Sequence, residues 1–126
     1  MIGGFNQKTL RVLGCLIEKE RTTPDYYPMT VNALTAACNQ KTNRDPVMEL
    51  TEDTVTKALD ELRSKELVAT TRMSGGRSVK YKHKLGDLLD LSARQVSALA
   101  VLMLRGEQTV GEIRTHRTLR RVRRPR

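Results

Sequence analysis

Apolar side chains return at helical spacing near the start of the chain: Leu10, Leu13 and Ile17 stand at i, i+3 and i+7, and Leu16 widens the stripe. That pattern predicts an amphipathic helix over residues 9–20 with one buried face. The stretch Thr22-Thr-Pro-Asp-Tyr-Tyr-Pro28 ends it, because both prolines and the residues before them disfavour helix. Thr30 then suits the N-cap of a second helix, in which Val31, Leu34 and Cys38 repeat the spacing. A polar connector over 39–46 leads to a further cap at Thr51, with Glu52 and Asp53 favouring the positive end of a third helix. This helix runs to about residue 65 and turns Val55, Ala58, Leu59 and Leu62 inward.

Beyond it the period changes from 3.6 to 2. Residues 67–73 are β-branched and strand-like, 74–78 supply a flexible Gly-Gly turn, and 79–83 alternate apolar and basic side chains. Three short helices followed by a hairpin is the order of a winged helix-turn-helix, mainly α with a small β-hairpin, and residues 1–86 form that first domain. A new unit opens near Asp87. Ser92 can cap a helix over 93–105 that is apolar nearly all round, Gly106 can stop it, and Thr109-Val-Gly-Glu112 reads as a capping box for another helix. Residues 87–126 thus repeat the first two helices without a third helix or wing. The expected architecture is a truncated tandem pair.

Composition narrows the function classes. The longest apolar run, 98–104, is seven residues, against the ~20 that span a bilayer, and no secretory pattern opens the chain. A cytoplasmic protein with no membrane partner is expected. Cys15 and Cys38 read as small buried hydrophobes in a reducing compartment. Neither His83 nor His116 has a Cys, Asp or Glu at ligand spacing, so no metal or other cofactor is expected. No nucleophile elbow, zincin, P-loop or dinucleotide fingerprint occurs, and the expectation is a protein that is not an enzyme.

Net charge is +9 with a pI near 10.1, which suits a polyanionic partner. The excess is uneven. Residues 1–91 carry 14 Lys and Arg against 12 Asp and Glu, whereas residues 92–126 carry 9 against 2. Seven arginines, from Arg114 to Arg126, make up most of a basic tail.

Particular runs look familiar. Arg11-Val-Leu-Gly-Cys-Leu-Ile-Glu-Lys-Glu20, the Thr22 to Pro28 stretch, Asn32-Ala-Leu, Ala37-Cys-Asn-Gln-Lys41 and Asn43-Arg-Asp-Pro-Val47 resemble the YceH-like family of bacterial proteins, over roughly residues 9–116. The resemblance implies two tandem winged-helix domains in the cytoplasm and brings no biochemical activity with it. The family pattern would continue through more helices and a second wing. Here it gives way after about Arg117 to an arginine run, read as a truncated or frameshifted end or as a basic extension.

A DNA-reading winged helix sets its third helix in the major groove and its wing against the backbone. The third helix here is a poor electrostatic fit, with four acids against three bases over residues 52–65. The wing, by contrast, has Arg72, Arg77, Lys80, Lys82 and Lys84 and no acid. Lys80, Lys82 and Lys84 alternate onto one face, leaving Val79, Tyr81 and His83 to the other. Arg72, Arg77, Lys80 and Lys82 are the candidate phosphate contacts, although basic residues also protect strand edges from pairing. Lys41, Asn43 and Arg44 in the connector are weaker candidates beside a purely loop-holding role, and Lys57 is the most useful base on the third helix. Tyr26 and Tyr27 are expected to pack on the first helix rather than stack on bases. Two readings follow: duplex DNA binding of the transcription-regulator type, or a scaffold for a protein partner or a second copy through the apolar helix 93–105.

Overall fold

A computed structural model of the protein describes residues 5–72, 79–86 and 91–105. The first helix, α1, spans Gln7–Thr22. It begins earlier than the apolar stripe because Asn6 caps it, accepting from the Thr9 amide at 2.8 Å, and the added turn is polar. Every residue from Arg11 to Ile17 is buried, which a helix achieves only when neighbours cover it on all sides. The expected single stripe is therefore one of several covered faces.

Helix α2, Val31–Cys38, is capped by Thr30, and α3, Glu52–Ser64, by Thr51, each threonine hydroxyl accepting from the amide three residues on. The inward residues of α3 are the expected four, Val55, Ala58, Leu59 and Leu62. Leu13, Leu16, Leu34, Leu59 and Leu62 are fully buried, each contributing about 1.5–3 kcal/mol by area removed from water. The C-terminus of α3 closes with the Glu66 amide on the Arg63 carbonyl and the Leu67 amide on the Leu62 carbonyl, both at 2.9 Å. This closure needs a left-handed residue at Glu66 (φ 63°), a place usually held by glycine.

Strands β1, Val68–Arg72, and β2, Val79–His83, pair antiparallel with Thr70 opposite Tyr81. A third segment completes this small sheet. The Met29 amide donates to the Tyr81 carbonyl at 3.1 Å, and the Tyr81 amide donates back to Met29 at 2.8 Å. The turn between the strands lies outside the described residues.

The last described helix, α4, spans Ala93–Arg105. Ser92 and Gln95 form a reciprocal capping box at its start. Sequence placed this helix at the opening of a second unit; in the structure it lies along α1 and adds Val96, Ala100, Met103 and Leu104 to the one core cluster. Gly14 makes the approach feasible: a Cβ there would stand 2.9 Å from Met103 Cβ and 3.0 Å from two Leu104 side-chain atoms. The expected boundary at Asp87, the helix from Thr109 and the arginine tail lie outside the described residues. The elements form a mixed α+β fold, four α-helices and one two-stranded hairpin among the described residues.

Candidate nucleic-acid interface

Strand register sorts the basic side chains of the hairpin. Lys80 stands opposite Thr71 and Lys82 opposite Ala69, so the two lysines share one face. On that face Lys82 is exposed, and Lys80, Ala69 and Thr71 are half-buried. Arg72 pairs with Val79 and takes the opposite face, in line with the buried Val68 and Tyr81, although at the end of the strand it is exposed. The expected group of wing bases is thus split between two faces. Arg77 lies outside the described residues. Lys84 falls beyond the end of β2, where its amide donates to the Leu67 carbonyl at 2.7 Å.

The edge of β2 away from β1 is covered at Tyr81 and His83. Met29 takes both backbone groups of Tyr81, and the His83 amide donates to the Tyr27 hydroxyl at 2.8 Å. Tyr27 also packs its ring against His83, centroids 6.2 Å apart, and burial raises its phenol above the ordinary value. Tyr26, expected to pack on the first helix, is instead 77% exposed at the end of the turn Pro24–Tyr26. His83 is held at both ring nitrogens, with Nδ1 accepting from the Leu85 amide at 3.2 Å and Nε2 lying 2.7 Å from Glu20. The acceptor role of Nδ1 puts the ring hydrogen on Nε2. Beside it, a cleft of about 250 Å³ is lined by Glu20, Arg21, His83, Lys84, Leu91 and Val96 among others.

The connector before α3 is engaged with the protein itself. Asn39 accepts from the Leu50 amide at 2.7 Å and donates to the Leu50 carbonyl at 2.9 Å. Gln40 donates to Thr42 and accepts from Lys19. Arg44, a candidate phosphate contact, is turned inward with its side chain 0% exposed. Its guanidinium grips Glu18 through two bonds of 3.1 and 2.6 Å and donates to the Ala37 and Asn43 carbonyls. It cannot reach a phosphate without leaving these partners. Burial opposes the charge on Glu18, but the bonds and charge of Arg44 outweigh it and hold the carboxyl below its ordinary value. Asn43 has a left-handed backbone (φ 58°), which asparagine tolerates in tight loops, and is exposed, as is Lys41.

Sequence reasoning missed a second inward arginine. Arg11, 1% exposed, donates to the Cys38, Pro46 and Leu104 carbonyls, tying the ends of α2 and α4 to α1. Burial lowers its basicity. The available signal was its position: residues 11, 14, 15 and 18 form a helical face of their own, mixing a glycine, a cysteine and two charges.

On α3, Glu52, Asp53, Lys57 and Asp60 are exposed. Lys57 lies 3.4 Å from Asp53, and Arg63 lies 4.0 Å from Asp60, so the bases on this helix are matched by acids within a turn.

These features define a small α+β domain built on a buried central helix, with a hairpin that carries two lysines on one face and a third helix that exposes acids. The chain belongs to the family described as "Protein of unknown function, DUF480", whose model matches residues 5–123. It is 57% identical over 111 residues to a UPF0502 protein of Geotalea uraniireducens, covering 88% of this chain and 50% of that one. A UPF0502 protein of Geobacter sulfurreducens is 54% identical over the same length, and one of Shewanella amazonensis 53% identical over 109 residues. The chain spans about half the length of the curated relatives it matches. Among the described residues no helix is long and apolar enough to cross a membrane.

Proposed function

We propose that this chain is a non-enzymatic winged helix-turn-helix module that binds duplex DNA of the bacterial cell through its hairpin, as the first part of a tandem pair. Lys80 and Lys82 hold backbone phosphates from one face, Arg72 extends the contact from the end of β1, and Arg77, outside the described residues, is a further candidate. The observation that carries this reading is the covered edge of β2. With Met29 already occupying both backbone groups of Tyr81, and Tyr27 the amide of His83, the lysines beside them are not needed there to keep another strand away.

The acids of α3 set the mode of docking. Glu52, Asp53 and Asp60 would meet phosphates if that helix entered a groove, so the hairpin rather than α3 leads, and Lys57 stays paired with Asp53. Contacts confined to phosphates give affinity with little sequence preference. Fluorescence anisotropy with duplexes of unrelated sequence tests this: Lys80→Ala/Lys82→Ala weakens every duplex by about the same factor, near tenfold. Loss on one sequence alone contradicts backbone docking. The acidic face of α3 favours the second reading, a scaffold for a protein partner. That reading, in which the chain has no DNA affinity of its own, gains if stable self-association or partner capture is found and no duplex binds.

A further inference from the structure

The face of α1 that carries Arg11, Cys15 and Glu18 is closed by the end of α2, and two arginines fix how it closes. Arg11, one turn before Cys15, donates to the Cys38 carbonyl at 3.1 Å. Arg44 joins Glu18, one turn after Cys15, to the Ala37 carbonyl at 3.1 Å. The end of α2 is thereby held at Ala37 and Cys38 against the stretch of α1 between Arg11 and Glu18, in the middle of which Cys15 lies. Both cysteines are 0% exposed, unbridged and part of the one core cluster. The surroundings are not simply apolar, since the Arg11 Nε is itself buried with no hydrogen-bond partner.

We propose that Cys15 and Cys38 are a redox-active thiol pair, which a small peroxide converts to an intramolecular disulfide joining α1 to α2. Cys15 is the attacking sulfur. Burial opposes ionisation of its thiol, while Arg44, bonded to Glu18 one turn after it, and Arg11, one turn before it, favour the thiolate. The Cys15 thiolate attacks one peroxide oxygen, the O–O bond breaks, and the leaving hydroxide takes a proton to become water, giving a sulfenic acid. The Cys38 sulfur then attacks the Cys15 sulfur, the S–O bond breaks, and a second water leaves with the Cys38 proton. Two thiols lose two electrons to one peroxide, and the balance is one disulfide and two waters. Both sulfurs are sealed, so oxidant enters only when α2 briefly parts from α1, and bulky thiol reagents are excluded.

The test uses the full chain in native buffer with hydrogen peroxide, read by intact mass, peptide mapping and a polymer-linked maleimide. The expected result is two thiols closed to the maleimide, loss of two hydrogens on oxidation, a Cys15–Cys38 cross-linked peptide, and recovery with dithiothreitol. In Cys38→Ser the expected product is a Cys15 sulfenic acid trapped by dimedone. Two thiols that survive peroxide in the native chain, yet oxidise in denaturant, overturn the proposal. So does oxidation that yields only cross-linked dimers.

Discussion

Replacing Arg44 with methionine separates the structural role of this residue from any part in binding. The change leaves the Glu18 carboxylate, only 17% exposed, facing the space of a lost guanidinium. It also removes the donors to Ala37 and Asn43. Breaking a buried pair by removing one partner costs about 3–5 kcal/mol, most of it the penalty of the stranded charge. At about 4 °C per kcal/mol for a domain of this size, Tm falls by about 12–20 °C. The matched variant Glu18→Leu/Arg44→Met removes both charges and should recover at least half of that loss, since apolar replacement of a whole pair is close to neutral. Acid titration gives an independent check. Because the folded state holds Glu18 below its ordinary value, the stability it contributes is present above the unfolded carboxylate range and is lost as pH falls through the folded value. The double variant should lose less stability on the acid side than the parent. Thermal unfolding by circular dichroism between neutral and acid pH reads both effects. A fall under about 4 °C for Arg44→Met, with weakened DNA binding in its place, would refute the structural assignment.

Three further substitutions probe the frame. Gly14→Ala gains helix propensity of about 1 kcal/mol but drives a methyl into Met103 and Leu104 at a cost of about 2–3 kcal/mol, so a net Tm loss of about 4–8 °C is expected, and a gain would contradict the close α1–α4 contact. Asn39→Ala strands both backbone groups of Leu50 and should cost about 2 kcal/mol in urea unfolding without changing DNA affinity. Glu66→Gly relieves a left-handed residue worth about 1–2 kcal/mol and adds about 0.5–1 kcal/mol of chain entropy, so stability should rise by about 0.5–1 kcal/mol in the same assay.

Element order and most boundaries were readable because each start carries a side-chain signal. Thr30, Thr51 and Ser92 all cap the helices they precede, and the change of period after residue 66 marks the hairpin. Asn6 escaped notice because the turn it opens has no apolar residue to extend the stripe. The inward arginines escaped because burial of a charge depends on carbonyls and a carboxylate distant in sequence, such as Leu104 for Arg11 and Glu18 for Arg44. The packing of α4 on α1 follows from Gly14, a residue that hydrophobic periodicity does not register. Of the candidate site, the shared face of Lys80 and Lys82 followed from alternation alone. The opposite face of Arg72 needed the pairing of β1 with β2, and the covered edge of β2 needed Met29, fifty residues away.

The central claim is that the lysine face of the hairpin docks on duplex DNA. Cutting the chain after Leu91 would strip α4 from the core, so the arginines from Arg114 to Arg126 are better neutralised to glutamine than removed. On that background, log affinity for a duplex is measured against log salt with Lys80 and Lys82 present and with both as alanine. Each lost phosphate contact flattens the slope by about 0.9, so the account predicts a difference near 1.8. Equal slopes in the two proteins would contradict it.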